Sequence, residues 1–332
     1  MKVGLGFDEL ELFTDDTLSF AKQIGVSHVM VHVPDRSVMP HTDEGYWTKE
    51  DLGALVRRIE SHGMRLESLE NFAPEHWYEV LLATSGREKQ MDNLKRTIEN
   101  VGRAGIPIIG FNFSIAAVTG RKLLPMSRGG ARAPVFELEN SIDFHKPAPL
   151  GYAWGRQIID PPPPGDQGFV SQEEMWERLD YFLDRALPVA EEFGVTLAAH
   201  PEDPPVPVMR QISRLLISAE RFDELFRRHP SRRCQMQFCQ GTFTEMPYGE
   251  NYVYDSIDHF TKLDRVAYVH LRNVRGKLPN YYEDFIDCGD IDMMRAMKIY
   301  QDNGFGGMFI PDLVPFPSLG EPWIAVVAYP IG

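Results

Sequence analysis

Short apolar runs alternate with amphipathic segments along almost the whole chain. The runs are rich in Val, Ile and Phe, and several are apolar at successive positions, as in strands covered on both faces. They predict strands near 2–7, 28–33, 66–72, 106–113, 196–201, 235–241, 266–273 and 307–313. The segments between them predict helices near 15–24, 48–63, 87–104, 172–193, 218–229, 254–262 and 290–303. Thr48, followed by Glu50 and Asp51, reads as an N-cap with an acidic first turn, and Gly63 closes that helix. Ser218 and Asp290 are candidate caps of two others. Gly25, Gly105, Gly194 and Gly304 suit the position just past a helix. Eight strands separated by seven helices predict an α/β fold, a (β/α)8 TIM barrel. Residues 1–332 then form one barrel domain whose last helix is incomplete or missing.

One segment breaks the rhythm. Residues 114–171 carry Arg121, Arg128, Arg132, a Gly129-Gly130 pair and the run Pro161-Pro-Pro-Pro164. They follow the fourth strand, so they belong on the face where barrel enzymes keep their chemistry. Insertions of this length are functional loops or disordered segments, and a lid-like segment supplying polar contacts is the expectation.

Four runs end alike: Thr196-Leu-Ala-Ala-His200, Gln235-Met-Gln-Phe-Cys239, Val266-Ala-Tyr-Val-His270 and Met308-Phe-Ile-Pro-Asp312. In each, the fifth residue is a metal-type side chain, and successive ends lie 39, 31 and 42 residues apart. That is the length of a strand plus a helix, so the four side chains should converge at the barrel mouth. A single such His is usually just hydrogen-bonded, a single Cys a small buried hydrophobe, and a single Asp a turn cap. Four at equivalent ends point to a metal site. Imidazole, thiolate and carboxylate together suit Mn, Fe, Co or Zn, whereas Mg and Ca prefer oxygen. Ligands scattered over four strands fit a catalytic site better than a closed structural zinc site. Cys234 starts its strand at the far end of the barrel and Cys288 lies in a loop, so both read as structural.

Composition adds limits. The chain is 43% hydrophobic and 25% charged, as in an ordinary globular protein, and no stretch is long enough to span a bilayer. The start lacks a charged head followed by an apolar segment, so no signal peptide is expected. Three irregularly spaced cysteines argue against a disulfide scaffold and for a reducing, cytoplasmic setting. A net charge of -14 disfavours nucleic acid as partner. A small anionic substrate is still compatible, because local Arg residues override the overall field, and a homo-oligomer is also compatible.

Longer motifs surround these ends. They are Ala199-His-Pro-Glu-Asp-Pro-Pro205, Phe238-Cys-Gln-Gly-Thr242, Val269-His-Leu-Arg272, Gly289-Asp-Ile-Asp-Met293 and Ile310-Pro-Asp312. Weaker matches are His32-Val-Pro34, Glu70 and Phe111-Asn-Phe113. Together they resemble the mannonate dehydratase family, over most of the chain apart from the insertion. The resemblance implies a barrel of xylose-isomerase-like type that uses Mn or a similar metal. Its members turn D-mannonate into 2-keto-3-deoxygluconate by removing water. The family's metal ligands fall on His200, Cys239, His270 and Asp312, and a Tyr implicated in it falls on Tyr329. One position departs from the pattern. The family usually reads Asp-His-Gly where this chain reads Asp312-Leu313-Val314, so the acid/base His has no counterpart there. The alternatives are a sugar isomerase or epimerase on the same metal site, or a non-catalytic sugar-acid binder.

Dehydration needs a proton removed beside the carboxylate and the neighbouring hydroxyl expelled. Arg272 lies two residues past His270 on the same face. It is a candidate carboxylate clamp or, equally, a bridge to an acidic neighbour. Tyr329 is the candidate base. His32, Glu70 and Asn112 are candidate substrate contacts, with His32 and Glu70 equally suited to supporting a ligand. Of Glu202 and Asp203, one carboxylate is placed to orient a ligand His.

Overall fold

The computed structural model describes residues 1–8, 10–117, 120–141 and 144–316. Eight parallel strands close into a barrel: β1 (Lys2–Phe7), β2 (His28–His32), β3 (Arg65–Glu70), β4 (Ile108–Phe111), β5 (Thr196–Ala199), β6 (Cys234–Cys239), β7 (Val266–Leu271) and β8 (Met308–Pro311). Each strand pairs with its neighbour in sequence, and β8 closes on β1 through Lys2↔Met308 and Val3↔Phe309. The expected TIM barrel is the fold observed. Met30, Ile108, Ala198, Tyr268, Met308 and Ile310 fill its interior. Gly4 makes room for them, since a Cβ there would lie 2.5 Å from Met308 Cγ.

The helices form the outer layer: α1 (Asp15–Gln23), α2 (Lys49–Ser61), α3 (Pro74–Leu82), α4 (Arg87–Arg103), α5 (Gln172–Phe193), α6 (Ala219–Arg228), α7 (Gln240–Glu245), α8 (Tyr252–Lys262) and α9 (Met293–Asp302). Thr48 and Ser218 cap α2 and α6 as expected. The expected cap Asp290 is corrected to Asp292, which accepts from Arg295 N at 3.0 Å, whereas Asp290 accepts from Gly276 N at 2.8 Å.

Two helices lie outside the sequence expectation. The short α3 starts with Pro74 and buries Trp77, Val80 and Leu81, but its apolar residues are too few for a clear period. In α7 all six residues are buried, so no amphipathic signal marks it, and the chain turns helical at Gln240 where the strand was expected to run on to 241. The segment after β7 also differs from expectation. It forms a hairpin, Asn273–Lys277 with Asn280–Asp284, which joins insertion strands Ala133–Glu137 and Arg121–Leu124 in one antiparallel four-stranded sheet. The insertion is thus tied to the far side of the barrel mouth, a pairing no local pattern announces.

Candidate metal centre

Strands β6, β7 and β8 are in register at their carboxyl ends, with Cys239 opposite His270 and His270 opposite Ile310. His200 follows the last residue of β5, and Asp312 follows the last residue of β8. One ligand-type atom each from His200, Cys239 and His270 lies within 4.8 Å of the other two. Asp312 completes the group, with Oδ2 at 3.4 Å from His270 Nδ1 and 3.7 Å from Cys239 Sγ. The four strand-end residues singled out in the sequence are therefore brought together.

Neighbouring bonds orient the two imidazoles. His200 Nδ1 contacts the Pro201 carbonyl at 2.6 Å, which leaves Nε2 for the centre. His270 Nε2 lies 3.1 Å from Glu70 Oε2, which leaves Nδ1 towards Asp312. A carboxylate behind a metal-type His is a usual way of fixing ring and tautomer. Glu70 Oε2 also accepts from Tyr268 Oη at 3.0 Å and from Gln237 Nε2 at 2.8 Å. Glu70 is buried, and these contacts suit the second of its two expected roles, support of His270. Gln237 and Tyr268 had no place in the sequence reading. Gln237 stands two residues before Cys239 and Tyr268 two before His270, so each shares a strand face with a metal-type residue, and that spacing was the available signal.

The electrostatics follow from burial among opposite charges. Burial alone would raise Glu70, but the adjacent imidazoles, His270 above all, bring it down to about 2. Burial also disfavours the Cys239 thiolate, yet Arg272, His200 and His270 hold its pKa down to about 6. Asp312 is held well below the usual carboxylate range by His270 and Arg272, against its burial. His270 is pushed well above the ordinary imidazole value by Glu70 and Asp312, despite burial. Cys234 is pushed up to about 12 by burial, which the single neighbouring guanidinium of Arg265 does not offset. An ionised thiolate and carboxylate beside two oriented imidazoles suit a divalent transition metal.

Arg272 is buried and surrounded by protein carboxylates. Nη1 donates to Asp203 Oδ2 at 2.9 Å, Asp312 Oδ2 at 3.2 Å and Cys239 Sγ at 3.5 Å. Nε lies 2.9 Å from Glu283, and Nη2 contacts Glu245. Of the two roles open to it, these contacts are those of the acidic bridge. Gly241 makes this possible, because a Cβ there would overlap the Arg272 side chain. Neither Glu202 nor Asp203 bonds His200. Glu202 pairs with Arg214 at 2.6 Å, and Asp203 with Arg121 and Arg272.

The mouth opens beside β1 and β2 into a pocket lined by Asp8, Leu10, Glu11, His32, Asp35 and Arg156. His32 is half-buried, its Nε2 lies 3.1 Å from Asn71 Nδ2, and its ring packs on Trp154 of the insertion at 5.8 Å. Asn112 is buried at the end of β4 and donates from Nδ2 to the Pro201 carbonyl, while its Oδ1 finds no protein partner among the described residues. Asp8 was not foreseen as a site residue. It follows the β1 strand just as His200 and Asp312 follow theirs. Crowding by protein, with Glu70 and Asp312 near and despite His32, pushes its carboxyl up to about 6. Tyr329 lies outside the described residues.

A model of the D-mannonate dehydratase (UxuA) family matches residues 13–141 and 167–316. The chain belongs to that family. Its class is that of the hydro-lyases that remove water from a sugar acid. Mannonate dehydratase of Thermotoga maritima is 27% identical over 304 residues, covering 80% of this chain and 77% of that protein. Mannonate dehydratase 2 of Halalkalibacterium halodurans is 27% identical over 311 residues, covering 89% and 86%. The crystal structure of mannonate dehydratase from Streptococcus suis superposes with a TM-score of 0.81 at 25% identity, covering 97% of this chain and 86% of that one. D-Psicose 3-epimerase of Clostridium cellulolyticum shares only the barrel fold, with a TM-score of 0.56 at 12% identity. Family membership implies a divalent metal, and the donor set above fits one. Within this dehydratase family pattern, the departure at Leu313 lies beside the metal-type residues and removes none of them.

Proposed function

We propose that this chain dehydrates D-mannonate or a close aldonic acid to a 2-keto-3-deoxy acid, at a centre held by His200, Cys239, His270 and Asp312. The observation that carries this reading is the approach of ligand atoms from His200, Cys239 and His270 to within 4.8 Å of one another, with Asp312 beside them. Mn is the preferred occupant, with Fe, Co and Zn as competitors for the same donors. When bound, it supplies a Lewis acid that makes the proton beside the carboxylate more acidic.

The chain's own residues then have distinct tasks. Glu70 and the Pro201 carbonyl hold the imidazoles in their working tautomers. Arg272 keeps Cys239 and Asp312 ionised and aligned. Asn112 offers its unpartnered Oδ1 to a substrate hydroxyl. The mouth pocket receives the sugar tail, with His32 and Asp8 as the groups there able to move protons. Tyr329 is retained as a further base. The insertion at 114–171 serves as a lid over this single barrel domain, and Trp154 and Arg156 are its nearest side chains to the tail. Three free cysteines fit a reducing, cytoplasmic setting. Among the described residues no helix is long and apolar enough to cross a membrane.

The test is an assay of protein reconstituted with Mn, Co, Fe or Zn against a panel of aldonic acids, scored for 2-keto-3-deoxy product. Product from mannonate is expected, and its loss in His270→Ala and Cys239→Ala. Tight metal binding with no product from any acid would sink the dehydratase reading.

A further inference from the structure

Two arginines and three carboxylates lie where the four-stranded sheet meets the strand ends. Arg121, on insertion strand Arg121–Leu124, and Arg272, just past β7, have side-chain exposures of 10% and 1%. Arg121 Nη2 lies 2.5 Å from Asp203 Oδ1 and 3.4 Å from both Glu245 and Glu283. Arg272 engages the same three carboxylates and, from Nη1, also Asp312 and Cys239. The side chains of Asp203, Glu245 and Glu283 are almost wholly out of solvent, at 2%, 0% and 0% exposure. The insertion is therefore joined to two of the four metal-type residues by a chain of three links, Arg121 to Asp203, Asp203 to Arg272, and Arg272 to Cys239 and Asp312.

We propose that Arg121 is a positioning residue for the metal centre, coupling the seating of the insertion to the placement of Cys239 and Asp312 through Asp203 and Arg272. The inference rests on the metal reading above. Its physical basis is the sharing of one guanidinium. Arg272 Nη1 divides its donors between Asp203 on one side and Asp312 and Cys239 on the other. Arg121 satisfies part of the demand of Asp203, Glu245 and Glu283. Without it, three buried carboxylates compete for Arg272 alone, and an uncompensated buried charge is costly. Arg272 is then drawn towards them and away from Cys239 and Asp312. At the same time strand Arg121–Leu124 loses a buried ionic anchor. Coupling of this kind is reciprocal, so fixing Asp312 and Cys239 with a metal should steady the sheet.

The test uses the full chain as wild type, Arg121→Met, Arg121→Lys and the charge-balanced pair Arg121→Met with Asp203→Asn. Zn and Mn dissociation constants are read by chelator competition, and amide exchange is followed in 121–137 and 273–284 with and without Zn. Arg121→Met should weaken metal binding by about ten-fold, within the usual range of inter-site coupling. The balanced pair should recover most of that loss. Zn should slow exchange in the wild-type sheet and lose this effect in Arg121→Met. If Arg121→Met does not fold, Arg121→Gln replaces it, with the same weakening of metal binding and the same loss of the Zn effect expected, while Arg121→Lys and the balanced pair should stay near wild type. A merely structural anchor would alter stability and leave metal affinity unchanged in whichever of Arg121→Met and Arg121→Gln folds, and that result overturns the proposal. So does sheet exchange in the wild type that ignores Zn. A wild type that binds no metal overturns the metal reading first and this inference with it, whereas failed dehydration with intact coupling overturns only the reaction.

Discussion

Glu70 is not among the four candidate ligands, yet it contacts one of them directly. Its Oε2 takes bonds from His270, Tyr268 and Gln237 inside the barrel. Replacing it with Gln keeps the volume and removes the charge that fixes the His270 ring. Metal affinity should then fall by about 10- to 100-fold, the usual effect of removing such a carboxylate. Competition with a chelator of known affinity measures this, and an unchanged dissociation constant would show that Glu70 does not support His270. Arg272 makes a related point. Its position in the sequence, two residues past His270, suits a substrate clamp and a bridge equally well. Only the carboxylates around it in space, from Asp203, Glu245, Glu283 and Asp312, separate the two.

At the scale of elements, α7 sets the floor of the site. It begins immediately after Cys239, supplies Thr242 as a donor to Cys239 Sγ at 3.1 Å, and places Glu245 against both arginines. Its seating depends on Phe243, which stacks on Phe238 of β6 with ring centroids 4.5 Å apart and also meets Phe222 and Phe260. Phe243 is 1% exposed, so truncation to Ala leaves a cavity among aromatic neighbours. A loss of about 3–5 kcal/mol is expected from urea denaturation. A loss below about 1 kcal/mol would mean that the helix is not held by this packing. The strands and long helices were legible because their periods are strong. The short, fully buried α7 and the hairpin at 273–284 were not. Burial on all sides erases amphipathicity in the first, and the pairing partner of the second lies more than a hundred residues away in the insertion.

For the molecule as a whole, pH links folding to metal uptake. In the metal-free protein, Glu70 is depressed from an ordinary 4.5 to about 2, so its contribution is present above pH 4.5 and is lost as pH falls towards 2. His270 is raised above an ordinary 6.5, so its contribution is full below that value and is lost as pH rises through its folded pKa. In the proposed centre a metal would need His270 unprotonated at one ring nitrogen, so uptake near neutrality should release protons and affinity should rise with pH. Calorimetry in buffers of different ionisation enthalpy checks this, and a binding enthalpy independent of buffer would contradict it. By itself the sequence determined the barrel, its order of strands and the four strand-end residues, because each rests on local periodicity and on equivalent positions in a repeating βα unit. The tertiary structure alone decided that Arg272 bridges acids, that Glu70 supports His270, that Asp8 shares the mouth, and that the insertion pairs with the hairpin after β7. These depend on which side chains from distant segments compete for the same buried donors and acceptors, and no spacing along the chain encodes that competition.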